Sequence, residues 1–222
     1  MRAASTLILL RDAADGVEVL MLKRHGLSET LGGAFVFPGG KVDAEDAALD
    51  GEHFLDQTAS VLHDRLGEQD IDTATAVGLY VAALRETFEE SGLLLAQQLA
   101  PAQSDAALAR LAQGTAFNAL LAELQLRLCV DALAPWSRWI TPPSSANKRF
   151  DTRFFVARAR RPARPPRRTR DHRSRWCCPA PRCKLLGRRT HARTATDHDP
   201  GPPRAPRHGG QRTDRSAPAG PR

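Results

Sequence analysis

The chain has 222 residues, 41% of them hydrophobic, and a formal net charge of +7, which suits a soluble protein with one sizeable core and an appendage. No apolar run approaches the roughly 18 residues needed to span a bilayer. Arg11-Asp12 follows Thr6 to Leu10 too soon for a signal-peptide core, so no membrane association is expected and the cytoplasmic compartment is the default. Four cysteines, three of them near the C-terminal end, make no disulfide framework.

Ala4 to Leu10 and Val17 to Lys23 alternate as two strands, and Asp15-Gly16 between them is a hairpin signal. A short strand through Phe35 and Phe37 then delivers Pro38-Gly39-Gly40, a turn whose glycines let backbone approach a phosphate or a metal closely. Residues 44–75 are Asp- and Ala-rich, and the near-helical spacing of Phe54, Leu55, Val61, Leu62 and Leu66 predicts one helix closed by Gly67, flanking the pocket. His53 and His63 lack a partner one turn away and read as surface residues.

The next helix carries Val77, Tyr80, Val81, Leu84 and Phe88 on one stripe, with Gly92 as its stop. Glu86, Glu89 and Glu90 fall at i, i+3 and i+4 on the opposite side, so three like charges crowd onto a face expected to look outward. An oxygen-only set at this spacing suits a hard divalent cation. Leu108, Leu111, Phe117, Leu120, Leu121, Leu124 and Leu128 mark two core-packing helices broken at Gly114 and ended by Pro135. Trp136 and Trp139 flank Arg138, a set that either stacks on a planar base or packs into the interior. Arg149 to Ala157 reads as a strand with Phe150, Phe154 and Val156 on one face and Phe155 on the other; Lys148, Arg149 and Arg153 are its candidates for meeting substrate phosphates.

After Ala157 the character changes. Residues 1–157 hold 13 Lys and Arg against 21 Asp and Glu, whereas residues 158–222 hold 19 against 4, with 11 of the 16 prolines. This Arg/Pro-rich tail has Leu185 and Leu186 as its only large aliphatics, so a disordered segment dispensable for the fold is expected over 158–222. Eighteen arginines against one lysine there resemble a G+C-rich gene read out of frame. As a polycation it would bind nucleic acid only non-specifically.

Arg85-Glu86-Thr87-Phe88-Glu89-Glu90-Ser91-Gly92-Leu93 resembles the second half of the Nudix box, with Thr87 where an aliphatic residue is usual, and Gly40 resembles the box's first glycine. Asp46 stands where the box has Glu, and Arg85 comes about 31 residues later than the uninterrupted spacing. That insertion, with Trp136 to Pro142 and Arg149 to Phe155, is similar to the long-insertion branch that includes peroxisomal coenzyme A diphosphatases; the resemblance covers residues 4–157.

The resemblance implies an α/β fold, a Nudix-type α/β/α sandwich with a mixed sheet and a helical insertion at about 44–75, in a domain spanning 1–157. It further implies a pyrophosphohydrolase that uses Mg²⁺ or Mn²⁺ to cleave a diphosphate linkage in a nucleoside diphosphate derivative such as coenzyme A or acyl-CoA. Glu86, Glu89 and Glu90 would hold metal, and Arg85 would orient a carboxylate. Gly39, Gly40 and Arg149 would meet substrate. The general base would be Glu89, Glu90 or an acidic residue further on. If the tail replaces a genuine ending, some of Phe150, Phe154 and Phe155, or the stripe Leu120 to Leu128, would be left facing water. An inactive truncated protein, or a non-specific nucleic-acid binder, is the alternative.

Overall fold

A computed structural model describes residues 1–14, 16–24, 33–97, 99–143, 149–159 and 172–177. Two long strands start the fold, β1 (Arg2–Ala13) and β2 (Gly16–Arg24), paired antiparallel from Leu10↔Val19 to Ala13↔Gly16. They run further than the alternation predicted, because ladder bonds extend past the last apolar residue. Leu7, Leu9, Leu20 and Leu22, all fully buried, share the face toward the helices.

Beyond Leu10 and Val19 the two strands diverge, and two short strands fill the fork. β3 (Phe35–Val36) pairs with β2 and β4 (Gly39–Lys41) pairs with β1, setting Ser5 opposite Gly40 and Thr6 opposite Gly39. The glycine turn is thereby held on both sides. Leu7 N–H donates to the carbonyl of Pro38 at 3.0 Å.

The insertion holds three short helices rather than one: α1 (Ala44–Ala47), α2 (Gly51–Phe54) and α3 (Ala59–Leu66). Local capping overrides the apolar period. The Asp50 carboxylate accepts from Glu52 N–H and the Thr58 hydroxyl from Val61 N–H, each starting a new helix where periodicity alone would run on. Gly67 ends α3 in the left-handed conformation, as its position predicted.

Helix α4 (Thr73–Ser91) is capped by Asp72, whose carboxylate accepts from Thr75 N–H, and ends at Gly92. Every residue from Ala76 to Arg85 is buried, which makes α4 a central helix enclosed on most sides. Tyr80 lies against Phe155 with ring centroids 4.6 Å apart. Helices α5 (Pro101–Ala112) and α6 (Phe117–Glu123) follow, separated around Gly114. Leu120, Leu121, Leu126 and Leu128 are all buried, so the stripe expected to face water is in the core.

Two further strands complete one side of the sheet, β5 (Ala134–Ile140) and β6 (Phe150–Arg158). Pro135 thus lies inside a strand rather than merely ending a helix. β6 pairs parallel with β1 from Arg2↔Phe150 to Leu10↔Arg158, and antiparallel with β5. The sheet is therefore mixed, in the order β3-β2-β1-β6-β5. Phe155 is fully buried toward α4, while Phe150 and Phe154 are half-buried on the other face.

Most of the tail reading, including its C-terminal charge runs, lies outside the described residues. Within it, however, His172–Cys177 forms β7, antiparallel to β2 from Val19↔Cys177 to Arg24↔His172. Leu22 and Lys23 pair with β3 on one edge and β7 on the other. Part of the segment expected to be dispensable is thus a strand of the sheet. Trp176, only 8% exposed, supplies the apolar anchor, with the Arg11 guanidinium 4.3 Å from its ring. Among the described residues, no helix is long and apolar enough to cross a membrane.

Candidate active site

Arg85 is the hub of the site. It is buried near the C-terminal end of α4, so its charge must be met locally. Asp46, 1% exposed in α1, takes two parallel bonds: Nε to Oδ1 at 2.8 Å and Nη2 to Oδ2 at 2.9 Å. Nη2 also donates to the carbonyl of Lys41 at 3.1 Å, and Nη1 to Glu86 at 2.9 Å and to both oxygens of Glu89 at 3.4 Å. One guanidinium therefore ties α1, the end of β4 and two glutamates of α4 together. Burial opposes its charge, but the Asp46 hydrogen bonds and the charges of Glu86, Asp46 and Glu89 outweigh burial and raise its pKa above the usual value.

Asp46 occupies the position where a box glutamate is usual. Its placement beside Arg85 explains how a side chain one methylene shorter still reaches: α1 is bound directly behind the glycine turn, and Asp43 N–H donates to Asp46 Oδ2 at 2.8 Å to fix the carboxylate.

The glycine turn wraps the other carboxylates. A Cβ on Gly40 would fall 2.4 Å from Cδ of Glu86, and one on Gly39 would fall 2.4 Å from the carbonyl oxygen of Ser5. The backbone contact makes glycine necessary at Gly39, whereas a side chain at Gly40 would displace the Glu86 carboxylate. Gly39 N–H donates to Glu90 Oε2 at 3.0 Å.

The three glutamates differ from the outward-facing acidic stripe expected of the helix, because β4 lies against Glu86 and Glu90, and all three are only partly exposed. Burial is the main cause of the raised pKa of each. Arg85 pulls Glu86 and Glu89 back, and the Gly39 N–H pulls back Glu90, which is nevertheless pushed up to about 7. Asp43, Asp46, Glu86 and Glu89 gather around the buried Arg85, and Glu90 lies close enough to feel the charges of Glu86, Glu89 and Arg24, so carboxylates outnumber cations here. Oxygen donors held in this state suit Mg²⁺ or Mn²⁺. The donor chemistry fits, although among the described residues no group of three or more His, Cys, Asp or Glu side chains converges as a ready metal centre.

Of the expected phosphate-binding residues, Lys148 lies outside the described residues. Arg149 spends Nε on the carbonyl of Thr141 at 2.9 Å, and its own carbonyl accepts from Arg2 N–H. Its hydrogen bonds place it at the start of β6 rather than beside the glutamates. Arg153 is buried and engaged elsewhere: Nε donates to Glu68 Oε1 at 3.0 Å, Nη2 also pairs with Glu68, and Nη1 lies 2.8 Å from Asp151. Arg138 joins the same ring, with two bonds to Asp151 at 2.8 and 2.7 Å and a third to Glu68 at 2.9 Å. The two-residue spacing of Asp151 and Arg153 on one strand is a signal that could have put them on a shared face; nothing in the sequence points to Glu68. Arg24, whose charge lowers the pKa of Glu90, also escaped the sequence reading.

The family model described as the NUDT19 Nudix domain matches residues 2–190, reaching past the charge boundary at Ala157. The chain is 30% identical over 176 residues to the acyl-coenzyme A diphosphatase NUDT19 of Xenopus laevis, covering 63% of this chain and 46% of that protein. Its identity to the human protein of the same description is 30% over 186 residues, covering 67% and 50%. The chain thus spans about half the length of the curated relatives it matches. A solved NUDIX hydrolase from Alicyclobacillus acidocaldarius superposes with a TM-score of 0.62 at 33% identity, covering 80% of this chain and 78% of that one. The carboxylates gathered by Arg85, the glycine turn in the fork of β1 and β2, and a family match over residues 2–190 place this chain in the Nudix hydrolase superfamily, in its NUDT19 branch.

Proposed function

We propose that the chain is a divalent-metal-dependent pyrophosphohydrolase that cleaves a diphosphate linkage in a nucleoside diphosphate derivative, with coenzyme A or acyl-CoA as its preferred class. The observation that carries this reading is the set Glu86, Glu89 and Glu90, held at the glycine turn with every pKa raised by burial. The coenzyme A preference draws on the description of the Xenopus and human relatives.

Glu86, Glu89 and Glu90 would hold the cation, which when bound supplies charge neutralisation at the diphosphate oxygens. The chain's own residues do the rest. Arg85 keeps Glu86 and Glu89 in position without touching substrate. Gly39 and Gly40 let the turn lie directly against Glu90 and Glu86, and would meet the diphosphate from there. Among the candidates to take the proton of an attacking water, Glu90 has its carboxylate oriented by the Gly39 N–H and its pKa pushed up to about 7 by burial before any cation is bound.

The test is a panel of coenzyme A, acyl-CoA, ADP-ribose, NADH and dinucleoside polyphosphates with Mg²⁺ or Mn²⁺. Coenzyme A derivatives should be cleaved fastest, and Glu89→Gln and Glu90→Gln should each lower turnover by about 10³-fold, equivalent to about 4 kcal/mol of transition-state stabilisation. Turnover retained in both variants would remove the two residues from the mechanism.

A further inference from the structure

A second recess lies across the sheet from the glutamates. Gly40, Ser5, Arg153 and Arg138 stand at one level on four successive strands, so Arg138 is about 14 Å from the glycine turn at about 4.8 Å per strand. Here a cleft of about 300 Å³ opens between the C-terminal end of α3 and β5, lined by Arg65, Leu66, Glu68, Trp136, Arg138 and Phe154 among others.

Trp136 is what sets this cleft apart from an ordinary groove. Its indole is 72% exposed, so interior packing, one of the two expectations for it, does not occur. The register between β5 and β6 shifts between Pro135 and Ser137, leaving Trp136 as the extra residue of a bulge. Bulges re-aim a side chain out of the regular alternation, and this one sets a large aromatic surface at the cleft.

The opposing walls are rigid and electrically balanced. Arg138 is clamped by Asp151 and Glu68, Arg153 by Glu68 and Asp151, and Arg65 by Asp131 together with the carbonyls of Asp131 and Leu133. Three guanidinium groups meet three carboxylates, so there is no net charge to capture a phosphate. What remains is an indole face and guanidinium planes whose edges are largely engaged by carboxylates and carbonyls. Such surfaces stack on a flat, uncharged ring.

We propose that this cleft binds a nucleobase-type planar ring, stacked on Trp136 and steadied by Arg138. The site does not depend on the hydrolytic reading of the glutamates. The ring comes either from the far end of an extended substrate whose diphosphate lies at the glycine turn, or from a separately bound nucleoside.

The probe is adenosine, which carries a base and no phosphate, followed by quenching of tryptophan fluorescence and, independently, by equilibrium dialysis with labelled adenosine. Saturable binding is expected for the wild-type chain, retained by Trp136→Phe and weakened at least tenfold in Trp136→Ala. The exposure of Trp136 means both variants should melt with the wild type, which circular dichroism verifies. Absence of saturable binding, or equal binding by Trp136→Ala, overturns the proposal. Where adenosine binds, a KM for an adenine-containing diphosphate that rises with kcat unchanged in Trp136→Ala assigns the ring to the substrate. Loss of adenosine binding without that rise assigns it to a separate ligand.

Discussion

Asp46 and Arg85 form the residue pair on which the site turns, and their energetics differ from those of surface ion pairs. Both are buried, Asp46 at 1% and Arg85 at 8% exposure, so solvent compensates poorly for a lost partner. Removing one member of such a pair costs about 3 to 5 kcal/mol when the other charge is left alone; here Glu86 and Glu89 still partly satisfy Arg85. Asp46→Asn should therefore destabilise by about 2 to 4 kcal/mol, and thermal unfolding should show a drop of several degrees. The same substitution frees Arg85 to move toward the glutamates and should lower metal affinity in calorimetry. A variant that melts and binds metal as the wild type does would show that Asp46 is not what holds Arg85.

Two elements are fastened by contacts that sequence spacing did not reveal. The ring of Arg138, Asp151, Arg153 and Glu68 joins the segment following α3 to β5 and β6. The hydrogen bonds from Arg138 are the main cause of the lowered Asp151 pKa, with Arg153 adding to it and burial opposing. A carboxylate with a depressed folded pKa contributes stability that is present above its unfolded pKa and lost as pH falls through the folded value. Acid unfolding of the wild type should thus steepen below about pH 4, and Asp151→Asn should lower stability at neutral pH while flattening that acid limb. An unchanged acid limb would show that Asp151 does not drive it.

Strand β7 is the second such element. It holds Trp176 in the interior and closes the outer edge of β2. Replacing a buried tryptophan by alanine costs about 3 to 5 kcal/mol in a well-formed core, and an edge strand can relax, so Trp176→Ala should destabilise by about 2 to 4 kcal/mol. In limited trypsin digestion the wild type should yield a protected fragment that includes Trp176, and the variant should not. Cleavage of the wild type back to Arg158 without loss of the cooperative transition would contradict the structural role of β7.

For the molecule as a whole, the site is a local concentration of like charge beside the apolar core. Asp43, Asp46, Glu86 and Glu89 are concentrated around the buried Arg85, with Glu90 beside Glu86 and Glu89, while Leu7, Leu9, Tyr80, Phe88 and Phe155 form the neighbouring interior. A cation that binds the folded state alone stabilises it by RT ln(1 + [L]/Kd), about 2.7 kcal/mol at a hundredfold excess over Kd. Mn²⁺ or Mg²⁺ should raise the melting temperature of the intact chain by several degrees, and EDTA should reverse the gain. Glu86→Gln should abolish most of it. A melting temperature indifferent to both cations would count against metal binding at this site.

Local chemistry carried much of this in the sequence. The spacing of Glu86, Glu89 and Glu90 follows from helical geometry, the stops at Gly67 and Gly92 from backbone freedom, and the strand faces around Phe150 to Ala157 from alternation. Each depends on residues a few positions apart. What depended on chain crossings was not legible: Asp46 meets Arg85 across 39 residues and Glu68 meets Arg153 across 85. The parallel pairing of β1 with β6 also joins distant segments, and β7 pairs with β2 despite a composition that argues against order. The capping side chains of Asp50 and Thr58 split a single expected helix into separate ones. Whether Trp136 faced water or core could be decided only by the bulge in β5, because burial is a property of neighbours and not of the residue itself.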